Sequence, residues 1–169
     1  DEDGSCAELT FALSLQGIIG FTVPTGGNDG KAIHLVASAD VADLSSFGIG
    51  VANNGGGTDG EEYSFPVASV SAGDDILVVR SVAAMEAYFA DCYSEFEHVF
   101  LDEGGSISQN GDDAIELFEW TAVIETFGDI NVDGTGQDWE YMDSWAYQVD
   151  GVWTYGAVNC TDGTTTTFD

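Results

Sequence analysis

The chain has 169 residues, with 31 carboxylate side chains against two side-chain cations, for a formal net charge of −29. That balance excludes nucleic acid and an anionic membrane face as electrostatic partners, because phosphates are held by lysines and arginines and only Lys31 and Arg80 are present. Apolar residues at 44% and aromatics at 12% exclude an acidic disordered tail and fit one folded domain.

The chain opens on Asp1, Glu2 and Asp3, read as a processed N-terminus such as signal-peptide removal leaves, which places the protein outside the cell. Residues 1–8 form an acidic N-terminal arm, 9–155 one domain, and 156–169 a threonine-rich C-terminal tail. Residues 9–15 alternate apolar and polar at period two, as a half-buried strand does. Further strand-like runs follow at 32–37, 47–51, 63–67, 76–79, 114–118, 122–127 and 145–149, separated by Gly, Asn and Asp turns at 24–30, 53–60 and 110–113. One segment reads as helix: Ser81 can cap it, and Val82, Met85 and Phe89 fall on one face, expected to pack on the edge of a sandwich. No internal repeat divides the chain. Cys6, Cys92 and Cys160 show no Cys-x-x-Cys spacing, which removes zinc and thioredoxin-like readings. One disulfide plus a thiol free to pair between chains fits an oxidising compartment, and three unpaired buried thiols are the competing reading. Asn159-Cys160-Thr161 is a glycosylation sequon and agrees with secretion.

The strongest chemical spacing runs from Asp129 to Glu140. Asp129, Asn131, Asp133, Thr135, Gln137 and Glu140 occupy the positions at which a twelve-residue calcium loop offers oxygen, with Gly134 at the sixth, where the chain must reverse. Calcium takes six to eight hard oxygens, and alternate residues of a tight loop turn toward one centre. The loop follows a strand instead of a helix, so Gln137 or Asp138 stands as an alternative to Glu140, and a turn whose side chains cap the backbone is the competing reading. Asn53, Asn54, Asp59, Glu61 and Glu62 form a second acidic group, read as a plain loop. Asp112 and Asp113 precede a strand and suit a turn. His34 and His98 are the two histidines and neither lies in a hydrolase or metalloprotease motif, so both read as packed or surface groups. Trp120, Trp139, Trp145 and Trp153 crowd the last third, where core packing competes with a sugar platform or a protein interface.

Lys31 to Leu35, Ala42 to Ile49, Ser71 to Val79, Asn110 to Leu117 and Val123 to Gly128 resemble, in order, successive signatures of the lamin tail domain, across roughly residues 9 to 150. The resemblance implies an all-β, immunoglobulin-like β-sandwich, here with one short helix and long acidic loops, and a non-catalytic role. His34 stands where the secreted members usually carry an acid. The expected function is a secreted, calcium-binding structural or interaction module that associates with itself or with other extracellular proteins as a filament, matrix or surface-layer subunit. The alternative is an accessory module that binds glycan or a cell surface.

Overall fold

The computed structural model describes residues 8–21 and 27–169. Within them the strands are β1 (Leu13–Phe21), β2 (Gly30–Ala37), β3 (Phe47–Ala52), β4 (Tyr63–Ser64), β5 (Asp75–Val79), β6 (His98–Leu101), β7 (Ala114–Glu119), β8 (Ala122–Phe127), β9 (Trp145–Val149) and β10 (Val152–Tyr155), with one α-helix, α1 (Val82–Phe89). They form a six-stranded sheet in the order β10-β9-β1-β2-β5-β6 and a four-stranded sheet in the order β4-β3-β7-β8. The two sheets pack face to face as a β-sandwich. Alternate residues of β1, β2 and β5, among them Leu15, Ile33, Leu35, Ile76 and Val78, meet Phe47, Ile49, Ile115, Leu117 and Phe127 of the opposite sheet in one buried cluster.

Pairing is antiparallel except between β5 and β6, which run parallel and are joined through α1 as a strand-helix-strand unit. The helix therefore lies over the outer face of the six-stranded sheet, not on an edge as the sequence suggests. Its buried side chains are Ala84 and Met85, packed with Ala32, Leu77 and Val79, and Tyr88, packed against Phe21. Val82, expected on the buried face, is exposed. Ser81 caps the helix as expected, accepting from the Ala84 amide at 3.3 Å.

The strand expected at 9–15 begins only at Leu13. Phe11 sits at φ 53, and the Thr10 and Phe11 amides bond the Glu119 carboxylate instead of a strand partner. On β1 a bulge between Leu15 and Gly17 shifts the register against β2. Residues 156–169 return along the six-stranded sheet: the Gly156 amide bonds the Trp145 carbonyl at 2.9 Å, and the Thr167 amide bonds the Tyr88 carbonyl at 2.9 Å.

Candidate functional site

With so few cations, four of the buried and half-buried carboxylates, Asp102, Asp113, Glu119 and Glu125, meet backbone amides. Glu119 accepts from Thr10 N, Thr10 Oγ1 and Phe11 N at 2.8–2.9 Å, although its own side chain is 1% exposed. Glu125 accepts from Leu15 N at 2.7 Å at the β1 bulge, and Gln148 Nε2 bridges Leu15 O and Glu125 Oε1. Asp113 accepts from Asn54 N and Asn110 N, and Asp102 from Gly105 N and Ile107 N. These charge-assisted bonds replace the ion pairs that the composition denies the fold. Burial pushes the carboxyls of Asp113 and Glu125 above their usual range, against the pull of the amides.

Both cations serve the interior of the 102–113 segment. Lys31 Nζ donates to the Ser108 carbonyl at 2.7 Å, and burial lowers its ammonium below the usual lysine range. Arg80 Nε lies 3.8 Å from Asp102 Oδ2, with its guanidinium over Gly105. What remains outside is an anionic surface.

The loop from Asp129 to Glu140 is built from turns that its own side chains close. Asp129 accepts from Asn131 N at 2.9 Å, Asp133 from Thr135 N at 2.9 Å, and Glu140 from Gly136 N at 2.8 Å, while Thr135 Oγ1 donates to Asp112 Oδ2 at 2.9 Å. The Thr135 amide lowers the Asp133 carboxyl, as a bond to the charged form does. Trp139 lies beneath Gly134 and edge-on to Phe127, with ring centroids 5.9 Å apart. Among the described residues no three His, Cys, Asp or Glu side chains gather as a metal would require. Asp129, Asp133 and Glu140 thus each spend an oxygen on an amide of their own loop. The second acidic group is likewise tied locally: Glu62 accepts from Val51 N, Glu61 from Ser64 Oγ, and Asn53 Nδ2 donates to Val51 O.

Two other features stand out. The first is a cavity of about 670 Å³ over the outer face of the six-stranded sheet, between α1 and the 90–96 turn on one side and β9 with the C-terminal segment on the other. His34 lies on its floor, with Nε2 donating to Asp75 Oδ1 at 2.7 Å. Phe96 meets the imidazole edge-on at 5.1 Å and Tyr147 stacks against it at 6.2 Å. Burial lowers the His34 imidazole more than the Asp75 bond raises it, so the ring is neutral at neutral pH. Cys92 and Cys160 are free thiols that line the same cavity, and Cys160 Sγ contacts Ser144 Oγ at 3.2 Å. Cys6 lies outside the described residues.

The second is the β9–β10 hairpin, joined at Asp150-Gly151. Neither strand contains an ionisable acid or base beyond tyrosine. Val152 is 65% exposed, Val149 50% and Tyr147 42%, and β10 ends the sheet with one side of its backbone unpaired by any strand among the described residues. Of the tryptophans, Trp139 and Trp153 pack on the core and Trp145 and Trp120 are exposed. The hairpin is legible in the sequence: β9 follows from its alternation, and the Asp150-Gly151 turn signals β10.

Compared with known proteins, the chain matches no family model, no curated protein and no solved structure.

Proposed function

We propose that the protein is a secreted, non-catalytic structural module that associates with copies of itself by pairing β10 to β10, extending the six-stranded sheet across a two-fold axis. The observation that supports this is the hairpin edge. In a chain with 31 acids, one exposed β-edge bears no charge on its strands and presents Val149, Val152 and Tyr155 beside it. Edge strands that must stay apart usually carry charges, prolines or covering loops. An edge without these devices suits strand addition, and a two-fold interface lets one strand serve both partners.

The rest of the reading follows from charge. Copies at −29 repel, and repulsion between exposed charges falls once the screening length drops to about 8 Å at physiological ionic strength. Cations therefore enter as a screening atmosphere that permits contact. Support for a non-catalytic role is that Asp102, Asp113, Glu119 and Glu125 are committed to backbone amides. An immunoglobulin-like sandwich of the lamin-tail type agrees with five motif segments that fall on or next to β2, β3, β5, β7 and β8; the parallel β5–β6 pair departs from it.

The test is the oligomeric state of the wild type and of Val152→Lys across salt concentration. Association that grows with salt and is lost in the variant supports the proposal. A monomer at every salt concentration overturns it, and glycan binding by such a monomer would replace it with the accessory-module reading, for which exposed Trp120 and Trp145 would be the platform.

A further inference from the structure

The cavity above β1, β2 and β9 adjoins the pairing edge and shares Val149 with it, and its lining carries a chemistry of its own. Its volume of about 670 Å³ lies within the range that holds small organic ligands, roughly 300–1,000 Å³. Gly17, Ala32 and Ala146 keep the floor low, and a Cβ on Gly17 would come within 3.1 Å of the Tyr147 ring. Aromatic side chains make the walls: Phe89 and Phe96 from the helical side, Trp145 and Tyr147 from β9, and Tyr88 held by its contact with Thr164 Oγ1 at 3.2 Å.

The charges around this aromatic box have one sign. Asp75, Glu95 and Asp169 contribute to the lining. Lys31 and Arg80, the only lysine and arginine, are engaged with Ser108 and Asp102, away from the cavity, and the His34 ring is neutral at neutral pH. A fatty acid, nucleotide or other anion would find no cation here and three carboxylates to oppose it. An organic cation would find aromatic faces for its charge and apolar walls for its body. Asp75 is engaged by the hydrogen bond from His34, and Asp169 is turned back on Thr165 and Thr166; Glu95 stands exposed at the mouth.

We propose that this cavity is a binding site for a small amphipathic amine: a protonated amino or quaternary ammonium group attached to an apolar, ring-sized body. The body occupies the space between Phe96 and Tyr147, and the cationic head lies toward Glu95 and the aromatic faces.

The test is calorimetric titration of the whole protein with 4-phenylbutylamine, 4-phenylbutanol and 4-phenylbutanoate, which share one apolar body and differ in head charge, at physiological ionic strength. Ethylamine serves as a control for diffuse attraction to the anionic surface. The amine is expected to bind saturably at one site, at least tenfold tighter than the alcohol, with no binding by the carboxylate or by ethylamine. Cys92→Trp fills the mouth from an exposed position, and Tyr147→Leu removes one aromatic face while keeping an apolar side chain there. Each is expected to weaken the amine at least fivefold, with unfolding temperature checked alongside. Absence of binding by all three compounds, equal binding by alcohol and amine, or amine affinity unchanged in both folded variants would overturn the proposal.

Discussion

Replacing Glu119 by alanine tests whether carboxylates do the structural work that cations do elsewhere. Three donors, Thr10 N, Thr10 Oγ1 and Phe11 N, converge on this one group at 2.8–2.9 Å. Hydrogen bonds to a charged partner contribute about 1.5–3 kcal/mol each where the donor stays dry. Here Thr10 is exposed and Phe11 is 57% exposed, so the freed donors regain water, and about 1 kcal/mol each is the appropriate scale. Removing one negative charge from a chain at −29 returns a few tenths of a kcal/mol, roughly the scale of a surface charge interaction. The net expectation is a loss of about 2–3 kcal/mol, which at roughly 2–4 °C per kcal/mol for a domain of this size lowers Tm by about 5–10 °C. Urea unfolding followed by tryptophan fluorescence measures it, with Glu103→Ala at an exposed position as the comparison. Glu103→Ala is expected to be neutral or slightly stabilising, and salt should raise the Tm of all three proteins without closing the Glu119→Ala deficit. If the two variants melt together, or if salt erases the difference, the carboxylate-to-amide account is wrong.

Other consequences follow from the same contacts. Asp113 has a raised folded-state carboxyl, so its contribution to stability is full below the ordinary carboxylate value near 4 and is lost as pH rises through the raised value. Relative to Asp113→Asn, the wild type should therefore gain Tm as pH falls from neutral toward about 4, measured by dilute-solution fluorescence; a widening deficit on acidification would contradict it. Gly111, at φ 112 with the Met142 backbone against the position of a Cβ, should lose more than about 3 kcal/mol as alanine. Gly136, at φ 76 with nothing within 4 Å, should lose only the backbone cost of about 1–2 kcal/mol. Because the 129–140 side chains close their own turns, calcium at millimolar level should raise Tm no more than magnesium at equal ionic strength. A calcium-specific gain near 4 kcal/mol, the scale for an ion at about a thousand times its Kd, would show that the loop rearranges around the ion.

The sandwich was legible where burial enforces a period. In β2, β3, β5, β7, β8 and β9 the apolar side chains that meet across the two sheets gave the strands to within about two residues at their ends. Periodicity failed where pairing rests on something else. The segment at Leu9 to Ala12 alternates like a strand, yet its amides are claimed by a glutamate 109 residues away, a contact no local pattern encodes. β6 is four residues long and pairs parallel with β5, a partner set by the crossover through α1. The acidic loop shows the limit of spacing as a signal. Asp, Asn and Gly at alternate positions suit calcium and equally suit Asx turns, and here Asp129, Asp133 and Glu140 each accept from an amide of the loop. The cavity had no local signature, since Phe96, Tyr147 and His34 come from three distant segments.

The most direct test of the edge-pairing account is sedimentation velocity on the wild type and Val152→Lys from low to high sodium chloride. Pairing of uncharged edges against long-range repulsion predicts wild-type dimers that increase with salt, and a variant that stays monomeric throughout. Wild-type dimers that dissolve as salt rises, or a lysine variant that assembles as well as its parent, would contradict it.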